Sequence, residues 1–208
     1  MQYKTILAID CATGPCSAAV WKDGRIAGYT EELRPIVQSA RLLPMIEDAL
    51  KQANCSYKEL SAVACTTGPG SFTGIRIGLS AARGIAYAAG IAGLGFTTLE
   101  VMAYAIKDEK NSIFSVLNAG KGEWYCQPFS ATPTWHASHE PMLVSPDTAM
   151  KNAPTDAAWI GNVDIPDIIK SFPRADILAQ LAAKSSQSFP LTPFYIRPPD
   201  ITMPKPKN

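Results

Sequence analysis

The stretch from Thr66 to Gly78, TTGPGSFTGIRIG, is where residue type and spacing come nearest to a phosphate-handling motif. A P-loop needs G-x-x-x-x-G-K-[ST], whose backbone N–H groups and lysine hold the phosphates. No window of the chain supplies it, and Gly120-Lys121-Gly122 lacks the hydroxyl that would follow. Gly68, Gly70 and Gly74 make G-x-G-x-x-x-G, so the spacing argues against a dinucleotide at this turn. Metal chemistry fares no better. Two imidazoles share an ion when they stand at i and i+4 on a helix. Here His136 and His139 stand at i and i+3 in the polar segment 134–140 with prolines on either side, which predicts an exposed loop pair. Metalloprotease activity needs the same missing ligands. The five cysteines, Cys11, Cys16, Cys55, Cys65 and Cys126, form no C-x-x-C and no even framework, so they are expected to be reduced. Cys11 and Cys16 have no sequence-evident histidine to activate them and read as small buried hydrophobes.

The elements around the glycine turn follow from the pattern. Residues 60–66 are strand-like, Ser71 is the natural N-cap, and Phe72–Ala89 runs as a proline-free helix rich in glycine and alanine. Each glycine costs such a helix roughly 1 kcal/mol relative to alanine. Two readings explain that cost: the helix sits tight on its own sheet, or part of its smooth face receives another protein. Upstream, 4–9 and 17–21 read as strands, and Asp23-Gly24 turns the chain into a third strand at 25–32. A helix is predicted at 39–53, with Leu42, Met45, Ile46, Ala49, Leu50 and Ala53 at helical spacing. A short strand at 92–96 and a helix at 99–106 complete a first set. Strands at 113–117, 123–130 and 142–145, a helix at 146–150, a strand at 158–161 and a helix at 176–185 then repeat the order. The order β-β-β-α-β-α twice over implies two pseudo-duplicated α/β lobes, 1–107 and a reduced 108–188. The proline-rich tail, 189–208, is expected to be a surface strap or a disordered end.

At 208 residues and 47% hydrophobic content the chain can bury a core, which excludes disorder of the whole. With 19 basic and 18 acidic residues spread along it, there is no electrostatic footprint for gripping nucleic acid unaided. The N-terminal apolar run is interrupted by Asp10 and no stretch approaches a membrane span, so a soluble cytoplasmic protein is expected.

Three segments carry a family resemblance: ILAIDCATGPCSAAVWKDG (6–24), GPGSFTGIRIGLSAARGIAYA (68–88) with TTLEVMA (97–103), and NAGKGEWY (118–125). Together they resemble the bacterial tRNA threonylcarbamoyladenosine biosynthesis family TsaB, also called YeaZ. RLLPMIEDAL (41–50) and PFYIR (193–197) extend the likeness through nearly the whole chain. The resemblance implies an actin-like ATPase (ASKHA) fold. It also implies a role in placing a threonylcarbamoyl group on the adenine next to the anticodon of tRNAs reading ANN codons. Such proteins do not perform the transfer; they pair with the catalytic subunit TsaD, and the small ATPase TsaE joins them. Asn118 and Gly120 stand where relatives commonly have Asp and Arg, and Gln38 where a His often precedes the first helix.

Read this way, the chain is a non-catalytic subunit rather than an enzyme, touching tRNA only through the complex. The helices 39–53 and 72–89 would meet TsaD, or a second copy of the chain, through Leu42, Met45, Ile46, Ala49, Phe72, Ile75, Arg76, Leu79, Ala82 and Arg83, some of which must face the home sheet instead. Arg76 and Arg83 share a helix face with Glu47 or Asp48 as charge partners, or are simply solvated. In actin-like folds an acid at the end of the first strand lies near phosphate and metal, which marks Asp10 and, with its hydroxyl, Thr13 as a vestigial nucleotide site; a turn former or cap is the ordinary alternative. No cofactor is expected, ATP or ADP at a subunit interface being the open case. The alternative function is a stand-alone small actin-fold kinase or ATP-dependent transferase, supported by Asp10, the Gly68–Gly70 turn and Lys121.

Overall fold

The computed structural model describes residues 3–34 and 38–197, without the side chain of Gln38. The first lobe runs β1 (Thr5–Asp10), β2 (Cys16–Lys22), β3 (Arg25–Glu32), α1 (Gln38–Gln52), a 3-10 turn at Tyr57–Glu59, β4 (Ala62–Thr66), α2 (Phe72–Ala89), β5 (Ala92–Phe96) and α3 (Thr98–Tyr104). The second runs β6 (Ser112–Gly120), β7 (Glu123–Ser130), β8 (His136–Ala137), β9 (Met142–Val144), α4 (Pro146–Asn152), β10 (Ala158–Gly161), β11 (Ile169–Lys170) and α5 (Ala175–Lys184).

The first sheet has the order β3-β2-β1-β4-β5, and the second β11-β10-β6-β7-β8 with β9 also on β7. Each contains an antiparallel hairpin, β1–β2 or β6–β7, whose first strand pairs in parallel with a later strand, β4 or β10. A further parallel strand, β5 or β11, lies beyond. This is the expected duplicated α/β, actin-like architecture. The second lobe is the reduced one: residues 162–168 join β10 to β11 where the first lobe has α2.

Strand β1 is buried at every position, and its side chains alternate between two layers as a strand's period of two requires. Leu7 and Ile9 join Val20, Val63 and Cys65 under α1 and α2. Ile6 and Ala8 join Ala19, Trp21, Ala62 and Ala64 on the other face, under α5 and α3. That second layer corrects the boundary expected at residue 108. Helix α5 follows the second lobe in sequence but packs on β1 and β2, and Ala175 N donates to Ser17 Oγ at 2.9 Å. Without α5 the second face of the first sheet would meet water, so burial overrides sequence order.

The described part of the tail, 189–197, runs over the surface as a strap that is anchored at Leu191. Phe189 pairs with Gly95, Phe194 N donates to Thr67 O at 2.8 Å, and Leu191 enters the core beside α2. Residues 198–208 of the expected tail lie outside the described residues. No helix among the described residues is long and apolar enough to cross a membrane.

Truncating a buried leucine to alanine typically costs about 2–5 kcal/mol. Leu191→Ala is therefore expected to lower unfolding stability into that range in urea titration, whereas a strap merely lying on the surface would give no measurable change.

Candidate functional site

Helix α2 is built as the sequence dictates. Ser71 Oγ accepts from Gly74 N at 3.2 Å, and Gly90, at φ 64°, closes the C-terminus in the left-handed region. Its two sides have different fates. Gly74, Ile75, Gly78, Leu79, Ala82 and Ala86 are buried, and a Cβ on Gly78 would stand 3.3 Å from Cys65 Sγ. The opposite side, Phe72, Thr73, Arg76, Ser80, Arg83, Gly84 and Tyr87, is exposed, with Tyr87 at 92%. A Cβ on Gly84 would meet nothing within 4 Å, so nothing in this chain demands a glycine there.

This allotment corrects the expected docking residues. Ile75, Leu79 and Ala82 of α2, with Leu42, Met45, Ile46 and Ala49 of α1, all sit in the core under Leu7, Ile9 and Val63 and present no surface to a partner. A helical apolar stripe meets the home sheet first, because that is the largest apolar area within reach. Phe72, Arg76 and Arg83 do lie outside. Arg76 turns back on its own chain rather than toward Glu47 or Asp48: its Cζ lies 3.9 Å from the Phe72 ring centroid, and Nε donates to the Tyr195 hydroxyl at 3.3 Å. Ser80 and Gly84, expected among the small residues of this helix, complete the outer face with Leu43 and Tyr87, which were not singled out. Their signal in the sequence is phase, since they occupy the helical positions opposite the apolar stripe.

The second candidate region lies at the end of β1. Asp10 is 0% exposed; its Oδ1 accepts from Thr66 Oγ1 at 2.6 Å and from Ala12 N at 3.3 Å, while Oδ2 has no partner. Burial pushes this carboxyl from 3.8 up to about 7, against the opposing pull of the Thr66 and Ala12 hydrogen bonds. The Thr13 hydroxyl is likewise buried without a partner. The turn after β4 is sewn onto this corner: Ser71 N donates to Ala12 O at 2.6 Å, and a Cβ on Gly70 would lie 2.1 Å from that oxygen. The glycine is there for close approach of two backbones. An acid expected beside phosphate is thus enclosed, and it ties β1 to β4.

The matching hairpin of the second lobe is also occupied. Asn118 Oδ1 accepts from Gly120 N and Asn118 N donates to Asn162 Oδ1, both at 2.8 Å. Arg197, from the tail, donates to Ala119 O at 3.1 Å and pairs with Glu123. His136 and His139 are exposed on the loop that carries β8, and among the described residues no three His, Cys, Asp or Glu side chains gather as a metal site. All five cysteines are buried and none is in a disulfide. Burial drives the Cys65 thiol far up, and the hydrogen bond with Cys16 together with burial does the same to Cys11, so neither offers a thiolate at neutral pH.

The enclosed carboxyl gives a signed pH prediction. An unfolded Asp10 loses its proton near pH 4 while the folded one holds it to about 7. Its contribution is therefore complete below pH 4 and is lost as pH rises to 7, a change on the order of 4 kcal/mol. Asp10→Asn keeps an oxygen for both donors and cannot ionise. The variant is expected to match the wild type near pH 4 and to exceed it in stability at pH 8, as read by denaturant unfolding at both values; parallel pH profiles would refute the assignment.

Comparison with known proteins places this geometry. The family model "TsaD: tRNA N6-adenosine threonylcarbamoyltransferase" matches residues 38–180. The tRNA threonylcarbamoyladenosine biosynthesis protein TsaB of Escherichia coli (strain K12) is 36% identical over 146 residues, which is 68% of this chain and 63% of that protein. The protein of the same name from Haemophilus influenzae is 28% identical over 170 residues, 76% of this chain and 72% of that one. In three dimensions YeaZ from Pseudomonas aeruginosa aligns with a TM-score of 0.81 at 24% identity, covering 93% of this chain and 100% of the other, a likeness of fold. The chain belongs to the family that the matching model describes, and its relatives set it in the TsaB (YeaZ) branch of that family.

Proposed function

We propose that this chain serves threonylcarbamoyladenosine modification of tRNAs reading ANN codons as a non-catalytic cytoplasmic scaffold, docking on TsaD in a complex that TsaE joins. In the absence of TsaD, a second copy of the chain takes the same face. The relatives' names supply the pathway. The outer face of α2 supplies the role, and the observation that carries it is the pairing of Gly84 with Tyr87. A glycine in mid-helix costs about 1 kcal/mol relative to alanine, yet a Cβ at Gly84 would meet no described residue within 4 Å, and one turn on stands Tyr87 at 92% exposure. A bare backbone next to a protruding aromatic suits close helix approach with an anchoring ring. Leu43, exposed on the neighbouring α1, adds apolar area to the same side of the sheet. Arg76 and Arg83 lie among these residues, where charges set register more than affinity. Enclosure of Asp10 against Thr66 weighs against the alternative of a lone kinase or transferase, which would need that carboxylate open to magnesium and phosphate.

Gly84→Glu and Tyr87→Asp alter only exposed positions, so both variants are expected to fold with unchanged circular dichroism, Gly84→Glu melting slightly higher because it removes a mid-helix glycine. Each is expected to weaken co-purification with TsaD by about thirtyfold or more, the loss of a central anchor. Undiminished pairing in both would remove this face from consideration. Calorimetry of the isolated chain with ATP and magnesium is expected to show no turnover heat; sustained hydrolysis would favour the lone enzyme.

A further inference from the structure

A cleft of about 1320 Å³ opens between the lobes, walled by α3, by β7 and the loop that follows it, and by the segment after α5. Its chemistry is concentrated in one contiguous group. Trp135 stacks on Phe129 with centroids 5.2 Å apart and planes 4° from parallel, and meets Tyr104 edge-on at 5.3 Å. The Trp135 Nε1–H donates to Glu100 Oε1 at 3.3 Å. Gln127 lies two residues before Phe129, on the same face of β7, and is 6% exposed. Its Nε2 donates to His139 O at 3.0 Å, which fixes the amide orientation and leaves Oε1 as a buried acceptor with no donor.

We propose that this cleft binds a small organic cation, a guanidinium or primary ammonium on a short alkyl stem, held by Glu100, Gln127 and the aromatic faces of Trp135 and Tyr104. Glu100 and Gln127 lack what such a ligand carries. Glu100 is a half-buried carboxylate whose single bond is from a neutral indole, and its ionisation is pushed up by burial. A cation restores the charge partner that burial makes costly to omit. The orphaned Gln127 oxygen accepts one further N–H, and the ring faces attract the charge through their quadrupoles. Tyr104 already takes part in such a contact, with Lys107 Nζ 4.9 Å from its centroid. Among the charged residues that line the cleft, Glu100 and Glu140 face the single lysine Lys184, which sits where the C-terminal end of α5 favours a cation. The balance is therefore acidic. An anion would meet two carboxylates and an orphaned acceptor, and a purely apolar ligand would leave that acceptor buried and unpaired.

Butylguanidinium and its neutral isostere butylurea separate charge recognition from simple filling of the cleft. The readout is the indole N–H resonance of Trp135 in the full-length, isotope-labelled protein, assigned by its loss in Trp135→Phe. Butylguanidinium is expected to shift that resonance saturably, and butylurea to bind about tenfold more weakly or worse. Glu100→Gln, which changes no carbon skeleton, is expected to bring butylguanidinium down to the butylurea level while leaving the circular dichroism unchanged. Absence of a saturable shift overturns the proposal, as does equal affinity for the two probes. Full retention of butylguanidinium binding in Glu100→Gln overturns it too, and because the two-probe comparison is made on the wild type, the outcome does not hinge on how the variant folds.

Discussion

Strand β1 has water on neither face, and the rest of the molecule is arranged to keep it so. Leu7 and Ile9 need one covering layer and Ile6 and Ala8 another. The first layer comes from α1 and α2, local in sequence. The second comes from α5, which must return from beyond the whole second lobe. At roughly 25 cal/mol per Å² of apolar surface removed from water, two facing layers outweigh the loop-closure cost of bringing α5 home, a cost that grows only with the logarithm of loop length. The same requirement explains why the apolar stripes of α1 and α2 face inward.

The end of β1 is held together by one buried acid. Asp10 meets Thr66 across the β1–β4 pair, and Gly70 lets the following turn touch the carbonyl of Ala12. An acid held this way carries a desolvation cost, visible as a carboxyl that keeps its proton to about pH 7. On the second lobe, Arg197 closes the equivalent hairpin by bonding Ala119 and Glu123. The polar groups at both hairpin corners are thus engaged by the chain itself, while the outward side of α2 carries an exposed tyrosine beside open backbone.

Much of this was legible in the sequence. The ranges of β3, α2, β5, β7 and β10 follow directly from turn chemistry and periodicity, because Asp23-Gly24 supplies the positive φ angles a tight hairpin needs and Ser71 and Gly90 bracket α2. The duplicated order of elements was readable for the same reason. The placement of α5 was not, since an Ala/Leu face does not say which sheet it will cover. The depth of Leu191 was hidden by its proline-rich surroundings, whose composition signals a strap and says nothing about one anchoring side chain. Leu42, Met45, Ile46, Ala49, Ile75, Leu79 and Ala82 were expected at an interface and lie in the core instead, because the two share one composition. The cleft cluster around Trp135 was invisible, because its members come from α3, β7 and a loop, and only the fold brings them together.

The late return of α5 and Leu191 also has a bearing on biosynthesis. During translation the first sheet emerges early, with one side of β1, β2 and β4 uncovered until α5 has left the ribosome. The first sheet therefore gains its full cover only after the second lobe has been made, which ties the maturation of one lobe to the synthesis of the other.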